Sequence, residues 1–344
     1  MQAPDIGGKA ARSGFLPDRT VHLHPLDRCN LKCSHCYSSS SPEAWTILPP
    51  EPLLAALPRL RVEGYEVISL SGGEPLLYPW LGQLLAAAKA EGFRTAAITN
   101  GFRVTARQRG VIDALDRIAI SFDGLEARHN AMRGNTQAWA RAVSGLRYLA
   151  EIGKPAAAAF TVTRDSLAEV PEFIEICAAL GVRAVQLRPL VMAGRAPQSV
   201  ADLALSEADT ARLWLMAQTL DLAWDGEIAV HVDLAPAEAL AADSCAWTLA
   251  LQGGAEQRLS DAVNPLVITP EGRLRPWTYD FPEEFDLGQL EDLAPSRRVW
   301  ISGGLPRLRK LLARTLHAAG LEEGFLDWFA FQRDQARRPR RMPA

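Results

Sequence analysis

The chain has 344 residues, of which 48% are hydrophobic and 22% charged. This is the composition of an ordinary globular protein, long enough for one large domain or two modest ones. The 37 Lys and Arg against 40 Asp and Glu give a formal net charge of -3, so the sequence lacks the basic character of a nucleic-acid-binding protein. No stretch approaches the roughly 18 apolar residues of a membrane span, and the N-terminus lacks the apolar core of a signal peptide. We therefore expect a cytoplasmic protein with no nucleic-acid or membrane partner.

Cysteine usage is the first informative feature of the sequence. Cys29, Cys33 and Cys36 fall close together, whereas Cys177 and Cys245 stand alone. The odd total and the clustering argue against a disulfide framework. Neighbouring thiolates repel one another unless a cation neutralises them, so the triplet indicates a metal site.

The first half of the chain repeats one pattern. A short apolar run rich in β-forming residues is followed by a polar or Gly-rich turn and then by a stretch with helical periodicity. Such alternation is typical of parallel βαβ units. The predicted strands are 21–24, 66–70, 95–98, 118–121, 158–162 and 184–187. The predicted helices are 52–62, 80–91, 106–115, 137–152 and 167–180. Six units are too few for a closed eight-stranded barrel, so we predict an α/β fold with a partial (β/α)6 TIM-like barrel.

The pattern changes after the sixth predicted strand. A connector with Gly and Pro leads to a predicted helix at 207–222, a strand at 227–232 and a hairpin around 267–277, which together predict a smaller α+β C-terminal extension. Further helices end in an Arg-rich tail, which we expect to be a frayed, solubilising terminus. The expected organisation is a lead-in at 1–19, a barrel core at 20–196, the extension at 197–332 and the tail at 333–344.

Turn-forming and polar residues follow several predicted strands. These features are Ser71-Gly72-Gly73-Glu74-Pro75, Thr99-Asn100-Gly101, Ser121-Phe122-Asp123-Gly124 and, at the end of the sixth strand, Arg188. The cysteine loop follows the first strand in the same way. Active sites of parallel barrels are built at the C-terminal ends of the strands, and paired glycines let a ligand approach the backbone closely. The sequence therefore predicts an active site at this rim.

The spacing of the three cysteines leaves two metal sites open. One is a zinc site completed by His35, His22 or His24, because three cysteines and one histidine are a common zinc ligand set. The other is a 4Fe-4S cluster in which three thiolates hold three irons, so that the fourth iron is free to bind a further ligand.

The motifs RCNLKCSHCY, SGGEP, TNG and SFDG, with the following RGNTQAWARAVSGLRYLAEIG, resemble the radical S-adenosylmethionine (SAM) enzymes. Within that family they resemble the branch with a C-terminal SPASM or twitch extension. The resemblance is good from about residue 20 to residue 195 and faint beyond. It implies one 4Fe-4S cluster on Cys29, Cys33 and Cys36, with the amino and carboxylate groups of SAM on the open iron. The residues that it implies bind SAM are Tyr37, Gly72, Gly73, Glu74, Asn100, Ser121, Asp123, Arg133 and Arg188.

The resemblance also implies roles for these residues. The Gly-Gly-Glu motif would receive the methionine ammonium, Ser121 and Arg133 would contact the ribose and carboxylate, and Tyr37 would lie near the adenine. The structural alternatives are that Asp123 shapes a turn, Arg133 caps a helix and Tyr37 packs.

Radical chemistry follows from the resemblance rather than from the spacing. A reduced cluster would cleave SAM to methionine and a 5′-deoxyadenosyl radical, which would abstract hydrogen from a substrate. A flavodoxin or ferredoxin would supply the electron. We expect a ribosomally synthesised peptide as substrate, modified at a side chain or α-carbon. The residues before the first strand leave no room for a peptide-recognition domain, so a separate recognition protein is expected to compensate. The alternatives are a small molecule such as a sugar, aminocyclitol or tetrapyrrole, or a regulatory module without catalysis.

The sequence departs from the family in its extension. Trp277 stands where the family places a cysteine, and Cys245 is the one cysteine after Cys177. Too few thiols remain for a second 4Fe-4S cluster, so we predict an extension without auxiliary iron. Cys245 is then a hypothetical hydrogen donor to a substrate radical. Cys177 has helical spacing with apolar neighbours, which predicts core packing.

Overall fold

The computed structural model describes residues 18–242, 250–251, 257–293 and 304–338. The strands are β1 Thr20–Leu23, β2 Val67–Leu70, β3 Arg94–Thr99, β4 Arg117–Phe122, β5 Ala156–Val162, β6 Ala184–Pro189, β7 Ala229–Val232, β8 Ala235–Pro236, β9 Leu266–Ile268, β10 Leu274–Pro276 and β11 Phe325–Leu326. The helices are α1 Pro50–Val62, α2 Leu81–Ala90, α3 Arg109–Ala114, α4 Glu126–Arg133, α5 Ala138–Glu151, α6 Val170–Ala179, α7 Ala196–Ser199, α8 Glu207–Ala223, α9 Ala237–Ala242, α10 Leu259–Ala262, α11 Leu305–Ala319 and α12 Trp328–Arg337. Short 3-10 turns lie at Pro75–Leu77, Ala106–Gln108, Leu167–Glu169, Ala201–Leu203, Glu283–Phe285 and Leu290–Leu293.

Within the described ranges, one sheet of nine strands organises the molecule. Its order is β10-β9-β1-β2-β3-β4-β5-β6-β7. The pairs from β1 to β7 are all parallel, as is the pair of β1 with β9, whereas β10 runs antiparallel to β9. The predicted α/β partial barrel is confirmed, and its active rim is the one at the C-terminal ends of the parallel strands.

The strand positions follow the alternation of side chains. On β4 the residues Ile118, Ile120 and Phe122 are buried against the helices, while the intervening Ala119 and Ser121 are half-buried on the inner face. Alternation with period two places successive side chains on opposite faces of a sheet. All six strands predicted for the barrel are present, with ends shifted by one or two residues.

Helix α4 is an element of the barrel core that sequence periodicity missed. It is a polar helix of eight residues, and it ends at Gly134, whose φ of 62° is the left-handed conformation that favours glycine at a helix end. Because α4 carries few apolar residues, no hydrophobic stripe marked it in the sequence. Its last residue is Arg133, which the helix thereby brings to the active rim.

The extension continues the barrel sheet at both edges. Strand β7 pairs with β6 on one side, and the predicted hairpin forms β9 and β10, with β9 against β1 on the other. Val21 is thus flanked by Ile68 of β2 and by Leu266 of β9. Sequence alternation indicated these strands but could not show which sheet they join.

Aromatic packing fills the part of the extension where the sequence lacks the expected cysteine. Trp277 is 5% exposed and packs edge-on against Phe281, with ring centroids 5.1 Å apart. Phe281 in turn packs against Phe285 at 5.5 Å. Trp277 has a φ of 64°, an uncommon backbone conformation for a bulky residue. These three rings are part of the main hydrophobic core.

The structure tests two further expectations, one for Cys177 and one for the Arg-rich tail. Cys177 on α6 is fully buried within the main hydrophobic cluster, so its predicted packing role is confirmed. The expectation of a frayed tail from residue 333 is wrong for residues 333–337, which belong to α12. Arg333 is 3% exposed and lies 3.3 Å from Asp280, since an arginine can be buried when a carboxylate compensates its charge. No helix among the described residues is long and apolar enough to cross a membrane.

Replacing Phe281 by Ala should lower the free energy of unfolding by about 3–5 kcal/mol, because it leaves a cavity between two aromatic rings. Urea denaturation followed by tryptophan fluorescence measures the change. Leu321→Ala is the control: that side chain is 75% exposed and should change stability by less than about 0.5 kcal/mol. A loss at Phe281 as small as the control would contradict the assignment of a packed core.

Candidate active site

Four segments meet at the rim formed by the C-terminal strand ends. The long loop after β1 carries the three cysteines, and the segments after β2, β3 and β4 carry the Gly-Gly-Glu, Thr-Asn-Gly and Asp-Gly sequences. Parallel strands bring these segments side by side. The rim is therefore where hydrogen bonds between segments distant in sequence were to be expected.

The Gly-Gly-Glu loop lies directly against the cysteine loop. The Gly73 N–H donates to the Leu26 carbonyl oxygen at 2.9 Å, and the Glu74 N–H donates to the Arg28 carbonyl oxygen at 3.0 Å. A methyl group on Gly73 would lie 2.0 Å from the Arg28 oxygen, and one on Gly72, whose φ is 103°, would lie 2.8 Å from the Leu26 oxygen. The two glycines are thus needed for the approach of the two backbones.

The three cysteines are free thiols on one loop, and their surroundings suit sulfur ligands. The Leu31 N–H and the Asn100 side-chain amide both donate to Cys29 Sγ, at 3.4 and 3.7 Å, and Cys36 Sγ lies 3.4 Å from Ser38 Oγ. Hydrogen bonds to sulfur are a normal feature of iron-sulfur sites. Three thiols with such donors fit a 4Fe-4S cluster.

Burial keeps two of these thiols protonated in the absence of metal. It raises the pKa of Cys29 to about 12 and that of Cys33 to about 11. As placed, the described residues contain no group of three His, Cys, Asp or Glu side chains arranged to hold a metal ion. Because burial raises these pKa values, cluster binding must release the protons of both thiols, which is the usual linkage for thiolate ligands.

Glu74 connects the ends of β2 and β3 through its carboxylate. It is 1% exposed, and it accepts hydrogen bonds from the Thr99 hydroxyl at 2.7 Å and the Asn100 N–H at 2.9 Å. The Leu76 N–H donates to it at 3.1 Å. Burial raises the pKa of Glu74, and these hydrogen bonds oppose that shift. The side chain is occupied by protein donors, so its evident role is to hold the loops together.

Asp123 and Arg133 form a buried ion pair. The Arg133 Nε and Nη2 donate to the two Asp123 oxygens at 2.5 and 3.2 Å. Arg133 is 7% exposed and Asp123 is 1% exposed. Burial alone would raise the pKa of Asp123, but the Arg133 guanidinium holds it well below its usual value. Such a two-point pair fixes the guanidinium plane. Arg133 lies in the last turn of α4 and Asp123 in the turn after β4, so the pair also joins a helix end to a strand end.

Two histidines complete the surroundings of Asp123. His35, which lies between two of the cysteines, places Nε2 3.2 Å from Asp123 Oδ1. The Asp123 N–H donates to His129 Nδ1 at 3.2 Å, and burial lowers the pKa of His129 to about 4. His35 therefore contacts the Asp123 carboxylate through Nε2.

Tyr37 packs in an aromatic group that includes a residue of the extension. Its hydroxyl lies 2.9 Å from Ser71 Oγ. Its ring is edge-on to His24 and Tyr279, both at 5.9 Å, while His24 and Tyr279 stack at 4.7 Å. Burial lowers the pKa of His24 to about 3, so it is a neutral ring here. The extension thereby reaches the strand-end rim through Tyr279.

Arg188 and Ser121 lie on strands β6 and β4. Arg188 Nε is 2.9 Å from Asp233 Oδ2, and Gln186 donates to the other oxygen of Asp233 at 2.7 Å. Ser121 pairs in register with Ala159 on the inner face of β4. Their predicted contacts with SAM stay predictions.

Sequence reasoning missed several residues of this site and placed one outside it. His129, Asp233 and Tyr279 carried no motif, because their partners are distant in sequence. The hypothetical hydrogen donor Cys245 lies outside the described residues.

Within the described residues, a partial barrel of parallel strands thus carries a three-cysteine loop bonded to a Gly-Gly-Glu turn. Residues 23–177 match the family model described as the Radical SAM superfamily. The cofactors of that superfamily are a 4Fe-4S cluster and SAM.

Curated relatives support the same placement. The chain is 34% identical to the pre-heme d1 synthase of Dinoroseobacter shibae, over 52% of this chain and 45% of that protein. It is 26% identical to the sporulation killing factor maturation protein SkfB of Bacillus subtilis, over 51% and 43%. The chain thus spans about half the length of the curated relatives it matches.

The fold also resembles solved structures. SuiB of Streptococcus suis, in its crystal structure bound to S-adenosylmethionine, matches with a TM-score of 0.65 and 15% identity over 86% of this chain and 68% of SuiB. The match covers more of the chain than residues 23–177, so it includes part of the extension.

Replacing Asp123 by Asn should destabilise the protein by about 3–5 kcal/mol at neutral pH, because Arg133 is left buried without its counter-charge. The folded pKa of Asp123 is depressed, so its stabilisation is complete above the unfolded value near 4 and is lost as the pH falls below it. Urea titrations of both proteins between about pH 7 and pH 3 should therefore show the difference shrinking toward acid.

Asp113→Asn provides the control for this measurement. Asp113 pairs with Arg109 at 2.7 Å on the surface, with both side chains 50% exposed, and its loss should cost less than about 1 kcal/mol. An Asp123 variant as stable as this control, or a difference independent of pH, would contradict the buried pair.

Reconstituted protein should hold about four irons per chain, because the sequence lacks the thiols for a second cluster. Iron and acid-labile sulfide are measured on anaerobically reconstituted, desalted protein, with Cys33→Ala as the control for adventitious iron. A value near eight would show an auxiliary cluster and refute the prediction.

Proposed function

We propose that this chain is an enzyme that uses a 4Fe-4S cluster and SAM to abstract hydrogen from a peptide substrate. The observation that carries the radical chemistry is the attachment of the cysteine loop to the strand-end segments, through the Gly73 and Glu74 N–H groups and the Asn100 amide. When bound, the cluster supplies the electron that cleaves SAM into methionine and the 5′-deoxyadenosyl radical.

Different residues of this chain bind the cluster and the parts of SAM. Cys29, Cys33 and Cys36 hold the cluster, and the backbone at Gly72 and Gly73 offers polar groups to the methionine ammonium. Glu74 holds that backbone in place through its hydrogen bonds with Leu76, Thr99 and Asn100.

Asp123 orients Arg133, and the oriented guanidinium suits the methionine carboxylate of SAM. A cation held in two places loses little further freedom when it meets an anionic group. Ser121 lies on the inner face two residues before Asp123, where we assign it to the ribose. Tyr37 and its aromatic neighbours offer a flat apolar surface of the kind that accepts an adenine.

The proposal of a peptide substrate is supported by charge. The Arg188 guanidinium faces Asp233, and Asp327 lies near enough to interact with both residues. Burial raises the pKa of Asp327 to about 6, while burial lowers that of His22 to about 4 and keeps it neutral. Among the described residues, Arg188 and Arg333 are thus balanced by Asp233 and Asp327, so this region suits neutral amides better than a ligand with several carboxylates.

Relatives give this proposal further support. SkfB is named as a maturation protein, and SuiB has been solved with its precursor peptide SuiA. A flavodoxin or ferredoxin as electron donor and a separate recognition protein remain part of the proposal.

A tetrapyrrole-type small molecule is the second candidate substrate. The observation that favours it is the 34% identity to the pre-heme d1 synthase, together with 29% identity to the Fe-coproporphyrin III synthase of Methanosarcina barkeri. Both identities exceed the 26% identity to SkfB.

Deuterium transfer distinguishes the two substrates. The reduced enzyme is incubated with SAM and an extract of the source organism grown in deuterated medium, and 5′-deoxyadenosine is analysed by mass spectrometry. We expect deuterium in the product, and we expect its loss when the extract is first digested with a protease that is then removed. An unlabelled extract is the control.

Deuterium transfer that survives digestion would replace the peptide by a small molecule. If the labelled extract gives 5′-deoxyadenosine without deuterium both before and after digestion, hydrogen abstraction from both candidates is contradicted.

A further inference from the structure

The connector that follows β6 is a second segment that binds the cysteine loop, in addition to the Gly-Gly-Glu turn. Arg195 donates from Nε to the Cys33 carbonyl oxygen and from Nη2 to the Ser40 carbonyl oxygen, each at 2.8 Å. Its own backbone N–H donates to the Cys36 carbonyl oxygen at 3.0 Å. One residue therefore holds carbonyl groups of two cysteines and of the segment that follows them.

The residue before Arg195 is fitted to this contact. Gly194 has a φ of 56°, and a methyl group there would lie 2.2 Å from the Cys36 carbonyl oxygen and 2.5 Å from the Tyr37 carbonyl oxygen. Both atoms belong to the backbone, so the loop would have to move to make room. The connector and the cysteine loop are thus in direct backbone contact, which a glycine allows.

The connector itself is anchored in a small apolar cluster. Ala196 is fully buried and packs with Leu190, Val200 and Met132. The carbonyl oxygen of Met132 also accepts a hydrogen bond from the Ser34 N–H, at 2.9 Å. The anchor therefore reaches the cysteine loop at a further point.

We propose that Arg195 is a positioning residue that bridges Cys33 and Ser40, fixes the second half of the cysteine loop around the cluster and sets a positive charge beside it. The proposal rests on the proposed cluster at the three cysteines. Charge-assisted hydrogen bonds are stronger than neutral ones, and hydrogen bonds and nearby charge around a cluster tune its reduction potential. Arg195 is thereby expected to affect both the retention of iron and the ease of reduction.

Two substitutions at Arg195 separate its geometry from its charge. Arg195→Met removes both, so iron should leave the reconstituted protein for a chelator about tenfold faster and the midpoint potential should become more negative. Arg195→Lys keeps the charge but cannot bridge two carbonyl groups as a planar fork does. It should retain a potential near that of the wild type and still release iron faster.

The control for these variants is Arg212→Met, whose side chain is 71% exposed on α8. Iron release is followed by the absorbance of the chelator complex, and the potential by EPR of the reduced cluster during a redox titration. Far-UV circular dichroism before reconstitution shows that each variant is folded.

A pair of glycine substitutions tests the backbone contact without changing charge. Gly194→Ala and Gly153→Ala both place alanine at a positive φ, but a methyl group at Gly153, with φ of 67°, meets nothing within 4 Å. Both should lose stability, and only Gly194→Ala should accelerate iron release.

The outcomes separate this inference from the proposed function. A wild type that binds about four irons, with Arg195 variants that match it in release rate and potential, would overturn the inference and leave the proposed function standing. Full restoration of iron retention by Arg195→Lys would contradict the bridging geometry. A wild type that takes up no iron would refute the proposed function and the inference with it.

Discussion

Two backbone hydrogen bonds, from Gly73 to Leu26 and from Glu74 to Arg28, join the end of the second strand to the cysteine loop, and the rest of the site is arranged around them. They form because two consecutive glycines let the chains approach to a distance that any side chain would prevent. The Glu74 carboxylate then passes this constraint to the third strand end, where the Asn100 amide reaches Cys29. A sheet of parallel strands supplies the alignment, and these local contacts convert it into a loop of defined position.

The ionisable groups around the cysteine loop are either paired or kept neutral by burial. Asp123 and Arg133 neutralise each other in the interior, so a guanidinium is available at the rim without the large desolvation cost of an isolated buried charge. His22, His24 and His129 are kept neutral by burial. The site therefore combines a few fixed charges with neutral aromatic surfaces, which fits an anionic carboxylate and a nucleoside of one small ligand.

The order of elements and the strand-end motifs could be predicted from the sequence because both depend on local patterns. Apolar alternation located β1 to β6, and glycines beside polar residues located the turns. Helix α4 was not predicted because a short polar helix leaves no apolar stripe. The pairing of Arg133 with Asp123 was not predicted for the same reason. The joining of β7, β9 and β10 to the barrel sheet, and the contacts of Tyr279 and Asp233, depend on chain segments far apart in sequence, and one sequence carries no local signal for such pairs.

The cleavage of SAM tests the central claim most directly. Anaerobically reconstituted protein is reduced with dithionite, SAM is added, and 5′-deoxyadenosine is quantified by mass spectrometry for the wild type, Cys33→Ala and Cys177→Ala. The account predicts 5′-deoxyadenosine from the wild type and from Cys177→Ala, whose thiol lies in the hydrophobic core, and none from Cys33→Ala. Equal formation by Cys33→Ala, or iron-free wild-type protein that binds zinc instead, would contradict it.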